Sequence, residues 1–332
     1  MTLLDVPVID FGPFRTGTAD DRRAVAEQID QACRDIGFLV IRGHGIDPDL
    51  MERTRDVSRR FFDLPAEKKL AVARPAPDVS RGYVGVAGES IGRSRDAAAK
   101  AGDLNESMMI GPVDVPDPAY ATAPAAGHHF APNIWPDEPE DFEKTWTEYY
   151  QAMSELSLDL MRSFALALGM DEHYFDDKVD RHISRLRVRN YPATEGVPEP
   201  GQIRAGAHSD YGSLTILATE DSPGGLQVCN AENQWRDVPI VPDCFIINIG
   251  DLMARWTNDY WVSTLHRVVN PPADQAPASR RQSLIFFHNP NYDAVIDRLP
   301  SDVADNGEPK YPPTTSGEHL RDLFTKTQNY EQ

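Results

Sequence analysis

The sequence predicts an α+β protein with a double-stranded β-helix (jelly-roll) core, braced by N-terminal and central helices. Two observations carry that expectation. From residue 183 onward the chain is a series of short strand-like runs divided by turn residues, with Pro and Gly between them, as in a double-sheet all-β core. Ahead of them, segments near 20–36, 48–63 and 139–169 repeat apolar residues at helical spacing. No internal repeat or low-complexity block stands out.

In the first helical segment Val25, Ile29 and Ala32 recur along one side; it ends at Gly37 and runs into an apolar strand at 38–42. The second stops before Pro65. The span 74–139 is rich in Pro, Gly and Ala and has little periodicity. It is expected to be loop with short elements, of the kind that forms lids or pocket walls. The long central helix sets Trp146, Tyr150, Met153, Leu156, Leu160 and Phe164 along one side and ends at Gly169. Strands are expected at 183–191, 203–208, 213–218, 225–229, 244–249, 262–269 and 281–288. A last helix near 317–327 could close over the mouth of the roll. Residues 1–120, a helical and mixed region, and 121–332, the jelly-roll core with its C-terminal helix, are expected to form one structural unit.

A chain of 332 residues can bury a sizeable interior. With 33 basic and 52 acidic residues its formal net charge is −19, which repels a phosphate backbone and argues against nucleic acid as a partner. Cys33, Cys229 and Cys244 are scattered and form no C-x-x-C, which favours a reducing compartment over a disulfide framework or zinc site. No long apolar stretch, signal peptide or lipidation motif is visible, so a cytoplasmic protein without membrane attachment is expected.

Chemistry is concentrated in two places. His208 and Asp210 stand in Gly206-Ala207-His208-Ser209-Asp210-Tyr211-Gly212, and His266 in Ser263-Thr264-Leu265-His266-Arg267-Val268. Two imidazoles and one carboxylate on one face of an octahedral metal suit non-haem Fe(II), with the opposite positions open for cosubstrate and O2. Residues two apart on a strand point the same way, so His208 and Asp210 can grip one ion without distorting the backbone. In Arg281-Gln282-Ser283-Leu284-Ile285-Phe286-Phe287, alternation puts Arg281 and Ser283 on one face, where guanidinium and hydroxyl make a carboxylate clamp. Tyr191 could supply a further donor. A metal site beside an anion anchor is what a bidentate keto acid needs if its far carboxylate is held while its near end chelates iron.

The remaining histidines need no functional role. His128 and His129 lie in a Pro/Ala loop and are expected to be solvated; His44, His173 and His319 read as structural, and His182 has no ligand partner nearby. His288 continues the 281–287 strand and either faces the pocket or does not. Asp251 reads as a helix N-cap, Trp256 and Trp261 as core. Asn190 and Arg189 are further pocket candidates. Arg81, Arg93, Arg95, Glu106 and Met108 are either substrate contacts or exposed loop.

Over nearly its full length the chain resembles the isopenicillin N synthase-like family of Fe(II) oxygenases, most of which depend on 2-oxoglutarate. The resemblance rests on Val6-Pro7-Val8-Ile9-Asp10, on the run from Ala32 to Ile46, on Gly224-Gly225-Leu226-Gln227-Val228 and on Ile247-Asn248-Ile249-Gly250-Asp251. Asn133-Ile134-Trp135-Pro136-Asp137-Glu138, Leu160-Met161-Arg162 and Ala165-Leu166-Ala167-Leu168-Gly169 look closest to the synthase branch. It implies that His208, Asp210 and His266 are iron ligands and that Arg281, Ser283 and Tyr191 bind the 2-oxoglutarate carboxylate. The implied reaction oxidises a small organic substrate with Fe(II), O2 and 2-oxoglutarate, releasing succinate and CO2. Hydroxylation is the commonest outcome in the family. Two alternatives stand beside it: a synthase-like oxidative cyclisation without 2-oxoglutarate, and a non-catalytic binder of a small acid or of iron. Where the synthase has a substrate-binding arginine this chain places Ser80, with Arg81 shifted by one, and the segment 84–110 is longer; both argue against tripeptide cyclisation. An intact ligand set and clamp argue against a silent binder.

Overall fold

A computed structural model describes residues 6–94, 102–115, 117–193, 198–199, 201–301 and 307–328. The first long helix, Ala19–Asp35, starts at a capping box in which Thr18 Oγ1 accepts from the Asp21 N–H and the Asp21 carboxylate accepts from the Thr18 N–H. Gly37 ends it with φ +66°, and a Cβ there would lie 2.1 Å from the Val262 carbonyl oxygen. Only glycine fits both the left-handed turn and that close approach. The second helix, Pro48–Phe62, is capped by the Asp47 carboxylate with Pro48 in its first turn.

The strands are β1 (Val8–Asp10), β2 (Phe38–Arg42), β3 (Gly82–Val84), β4 (Glu106–Ile110), β5 (Arg185–Tyr191), β6 (Ala205–His208), β7 (Leu214–Thr219), β8 (Leu226–Cys229), β9 (Trp235–Asp237), β10 (Phe245–Ile249), β11 (His266–Val268) and β12 (Arg281–His288). Eight of them form the main sheet, in the order β1-β2-β10-β7-β12-β5-β4-β3, and four form a second, β6-β11-β8-β9. β1 runs parallel to β2, and the other pairings within these two sheets are antiparallel. This is the jelly roll expected from the strand pattern.

Alternation divides each central strand between two environments. Leu186 and Val188 of β5, Leu284 and Phe286 of β12, and Phe245, Ile247 and Ile249 of β10 pack outward into one core with the helices. Into that core the helix Phe142–Ala167 sends Trp146, Met153, Leu160 and Phe164. Between the sheets, Phe38, Val40, Tyr191, Ala205, Leu226, Val228, Ile246 and Val268 make a smaller cluster. Two of the buried indoles are hydrogen-bonded: Trp146 Nε1 donates to Ser58 Oγ at 3.0 Å and Trp261 Nε1 to Asp30 Oδ1 at 2.9 Å. Trp256 and Trp261 are core, as expected.

The span 74–139 holds short elements, as expected, and two of them, β3 and β4, extend the main sheet beyond β5. Its strand signal is masked because Glu106 is buried, its carboxylate accepting from Lys69 Nζ at 2.8 Å, Tyr83 Oη at 2.5 Å and Asn190 Nδ2 at 2.8 Å. The strand expected at 262–269 shortens to His266–Val268, because Ser263 and Thr264 spend their hydroxyls on Asp251 and on the Ile36 carbonyl. The central helix begins at Phe142, beyond Pro139, rather than at 139. No helix among the described residues is long and apolar enough to cross a membrane.

Trp146 is fully buried at the seam between two helices and the main sheet. Trp146→Ala should lower the unfolding free energy by about 3–5 kcal/mol in chemical denaturation, from lost contacts and the cavity left behind.

Candidate active site

β6 ends at His208, which pairs directly with His266 of β11, and their rings lie 4.2 Å apart centre to centre. Asp210 follows two residues later, just past the end of the strand. Its Oδ1 is 3.9 Å from His208 Nε2 and 3.8 Å from His266 Nε2, too long for hydrogen bonds. The three donor atoms all lie within 4.8 Å of one another. Every other polar atom of the triad is already committed. His208 Nδ1 contacts the Gly206 carbonyl at 2.7 Å and His266 Nδ1 the Thr264 carbonyl at 3.1 Å. A carbonyl only accepts, so Nδ1 carries the proton and each Nε2 presents a lone pair. Asp210 Oδ2 accepts from Thr215 Oγ1 at 2.6 Å and Asn248 Nδ2 at 2.8 Å, leaving Oδ1 free.

Burial, with the adjacent His266, holds the His208 imidazole well below its ordinary range, so it is neutral near pH 7. Burial opposes the charge of Asp210, yet His266, His208 and the two hydrogen bonds outweigh it and keep the carboxyl below its ordinary range. Two imidazoles and one carboxylate, each with a single uncommitted ligand atom turned to a common point, fit one divalent cation with open coordination positions. Asp251 is the first residue of the short helix Asp251–Trp256, whose N-cap is Gly250 rather than Asp251. Its carboxylate instead accepts from Ser209 Oγ at 3.0 Å and Ser263 Oγ at 2.7 Å, tying together the two segments that carry the triad.

One cavity runs inward from the triad between the sheets, lined by Tyr191, Leu217, Leu226, Asn248, Arg281 and Ser283 among others. Arg281 is buried, opposite Tyr191 in register, with its Cζ 5.3 Å from the Tyr191 ring centre. Its guanidinium donates to Thr219 Oγ1 and, at 3.1 Å, to the Gly224 carbonyl, while its buried Nε has no partner. Ser283 Oγ lies 3.1 Å from Thr219 Oγ1. A fixed cation with a spare donor on the wall of this cavity suits one carboxylate of a small diacid.

A second, larger cavity opens outward beside the triad, and His208, Asp210, Arg189 and Phe287 line both. Its walls come from β3 to β5, the turn Ile91–Ser94, Tyr211, and Leu320 and Phe324 of the C-terminal helix Ser316–Gln328. Gly206 and Gly92 pack so closely that a Cβ on Gly206 would sit 2.7 Å from Gly92 Cα. Asp103 fastens this contact by accepting from Ile91 N at 3.0 Å and Gly206 N at 3.1 Å. Glu89 pairs with Arg187 and Arg74; burial opposes its charge, but Arg187, Arg189 and Arg74 bring it to about 2.

Other candidates are sorted by this geometry. Arg81 lines the outer cavity, buried, with its guanidinium spent on the carbonyls of Ala131, Ser80 and His129. Met109, not Met108, faces that cavity, because Met108 belongs to the helix-side core. Glu106 and Asn190 hydrogen-bond each other and line neither cavity. His288 packs behind the site, its Nδ1 2.7 Å from Ser213 Oγ and its ring 5.7 Å from that of His182. His129 is buried rather than solvated, held down at about 3 by burial and by Arg185 and Arg81. Arg95 and the side chain of Arg93 lie outside the described residues. Sequence reasoning missed Thr215, Asn248, Thr219 and Asp251 as supports and Arg185, Arg187 and Glu89 as cavity walls.

A family model described as the 2OG-Fe(II) oxygenase superfamily matches residues 182–290, and one described as non-haem dioxygenase in morphine synthesis N-terminal matches residues 6–138. The chain belongs to the 2OG-Fe(II) oxygenase superfamily. It is 32% identical over 327 residues to the 2-oxoglutarate-Fe(II) type oxidoreductase hxnY of Emericella nidulans, covering 97% of this chain and 90% of that one. A homoarginine-6-hydroxylase of Oryza sativa is 32% identical over 328 residues, 95% of each chain. Among solved structures, a full-length Neurospora crassa protein in complex with alpha-KG and thymine superimposes with a TM-score of 0.83 at 34% identity, covering 98% of this chain and 96% of that one. The oxygenase is thus an Fe(II)- and 2-oxoglutarate-dependent dioxygenase that oxidises a small organic substrate with O2 and releases succinate and CO2.

Thr215 and Asn248 hold the one carboxylate of the triad. Thr215→Val should leave the fold intact and weaken Fe(II) affinity roughly 10–100-fold in a competitive metal titration, as loss of such supporting bonds does elsewhere.

Proposed function

We propose that the dioxygenase hydroxylates its substrate, with His208, Asp210 and His266 as the Fe(II) ligands and Arg281, Ser283 and Tyr191 holding the far carboxylate of 2-oxoglutarate. The observation that carries this reading is the position of His208 and Asp210, two members of the triad, on the wall shared by two cavities, one reaching the Arg281 clamp and one opening to the mouth. Relatives named as hydroxylases favour oxygen insertion over cyclisation. When bound, the metal supplies the oxidising chemistry, driven by decarboxylation of the keto acid.

The chain's own part is binding, orientation and exclusion of water. Arg281, positioned by Thr219 and the Gly224 carbonyl, fixes how far the cosubstrate enters, so its keto-carboxylate end arrives at the triad. Thr215, Asn248 and Asp251 keep the ligand atoms aimed at one point. Tyr211, Phe287, Leu320 and Phe324 give the outer cavity an apolar lining that holds a small molecule against the open side of the metal. We read the protein as cytoplasmic, with no nucleic acid or membrane partner, a reading supported by the net charge of −19 and three free cysteines. We also read residues 1–120 and 121–332 as one structural unit, because β3 and β4 pair onto β5 in the main sheet.

Anaerobic titration of the protein with Fe(II) and then 2-oxoglutarate should produce a weak metal-to-ligand charge-transfer absorption. His208→Ala and Asp210→Ala should each abolish it together with succinate formation; full turnover by either variant would refute the ligand assignment. Arg281→Gln should raise the 2-oxoglutarate Kd by roughly a hundredfold, since a buried carboxylate loses its charged partner. On turnover, succinate should form in step with a product heavier by one oxygen atom. A product lighter by two hydrogens would overturn hydroxylation, and O2 uptake without succinate would favour the synthase-like route.

A further inference from the structure

We propose that the substrate carries a carboxylate and that Arg185, on the wall of the outer cavity, receives it. The inference rests on the reading of that cavity as the substrate site. Arg185, Arg187 and Arg189 alternate along β5 and all face this cavity, but their charges are not balanced alike. Arg187 is paired with Glu89 and donates to Ser107 Oγ at 2.7 Å. Arg189 is buried, and Tyr191, Glu89, Asp103 and Asp210 outweigh that burial in favour of its charge. Arg185 has no carboxylate partner among the described residues.

The guanidinium of Arg185 reaches only Ser80 Oγ at 2.9 Å and the ring of His129 at 3.4 Å. Arg81 adds positive potential around it, and burial together with Arg81 lowers Arg185 to about 9, while burial with Arg185, Arg81 and Arg321 brings His129 to about 3. At neutral pH Arg185 is therefore a charged, buried group beside a neutral imidazole. Arg81 is the poorer host for the same ligand, because three of its five N–H groups already donate to carbonyls. A buried charge without a counter-charge is costly, and a bound anion would supply what the chain lacks.

A carboxylate fits best. Its two oxygens match the guanidinium fork, and Ser80 Oγ, accepting from Arg185, still has its own proton to donate. Phe324 of the C-terminal helix lies over Arg185, with the guanidinium carbon 4.7 Å from the ring centre, and would seal the pair from water. Val84, Ile91, Met109, Phe287 and Leu320 line the rest of the cavity. The substrate is then a small acid with an apolar or aromatic body. Its carboxylate sits at Arg185, and the carbon that is oxidised lies at its far end, beside His208 and Asp210.

The test uses the full chain loaded anaerobically with Fe(II) and 2-oxoglutarate, titrated calorimetrically with matched acid and amide pairs. Suitable probes are benzoate and benzamide, phenylacetate and phenylacetamide, and hexanoate and hexanamide. At least one acid should bind, roughly tenfold or more tightly than its amide. Arg185→Gln should erase that preference and Arg185→Lys should retain part of it. Titration with 2-oxoglutarate alone reports separately whether each protein is folded and loaded. If Arg185→Gln does not fold, Ser80→Ala decides, and should weaken the acid while sparing the amide. A wild-type protein that binds 2-oxoglutarate yet shows no acid preference overturns the inference and leaves the dioxygenase reading intact. So does a preference that survives in Arg185→Gln or Ser80→Ala. Failure of the wild type to bind 2-oxoglutarate would overturn the site reading, and the inference with it.

Discussion

The period of two along β5 and β12 is the constraint on which the rest of the molecule depends. On β5 the outward residues Leu186 and Val188 close the helix-side core, and the inward residues are Arg185, Arg187, Arg189 and Tyr191. On β12 Leu284 and Phe286 point outward, while Arg281, Ser283, Ile285 and Phe287 point in. The two strands pair residue for residue from Arg281–Tyr191 to Phe287–Arg185, so both apolar faces and both polar faces coincide. A slip of one residue would bury the guanidinium groups among Trp146 and Phe164 and turn the leucines into the cavity. The hydrophobic core therefore fixes the register, and the register places the cations. Active-site geometry here is a consequence of packing on the far side of the same sheet.

That arrangement puts an unusual amount of charge inside the protein, and local compensation is what makes it tolerable. A buried ion without partners is strongly disfavoured. Asp210 is surrounded by two imidazoles, a hydroxyl and an amide. Glu89 stands among three arginines, and Glu106 among Lys69, Tyr83 and Asn190. Arg81 donates to three carbonyls, and Arg204 donates to the Pro223 and Ser279 carbonyls and to Ser279 Oγ while its Nε has no partner. Against this background the exceptions carry meaning. Donors left open at Arg281 and the missing counter-charge at Arg185 lie in the two cavities that converge on the triad.

The parts of this design that were legible in the sequence are those written in short-range periodicity. Arg281 and Ser283 share a face because strand alternation requires it, and His208 and Asp210 converge because they are two apart. The helices Ala19–Asp35, Pro48–Phe62 and Phe142–Ala167 were visible from apolar spacing. What stayed hidden depends on contacts between distant segments. β4 reads Glu-Ser-Met-Met-Ile, and nothing local reveals that Glu106 is neutralised by Lys69, 37 residues away. Met108 and Met109 are indistinguishable without knowing which face of β4 meets the cavity. His129 looks solvated in a Pro/Ala loop until Arg81 is seen folding that loop inward through the carbonyls of His129 and Ala131. Asp251 has the sequence context of a cap, yet its carboxylate is used by two serines, one 42 residues before it and one 12 residues after.

The wall shared by the two cavities also imposes an order on what can happen in them. Asp210 is followed directly by Tyr211, whose ring packs edge to face against Phe324 at 5.6 Å. Phe324 in turn covers Arg185 on the cavity wall. A ligand that fills the outer cavity therefore touches the C-terminal helix and the segment bearing a metal ligand at the same time. Among the described residues no side chain of that helix lines the inner cavity, which reaches Arg281 among strands of the two sheets. A cosubstrate held there, as proposed, would meet sheet whether or not the outer cavity is filled. Substrate, by contrast, must engage the element that closes the mouth. Rigid support for the reagent and a helix over the reactant are the division of labour expected of an enzyme whose oxidising power should be spent only on the molecule it encloses.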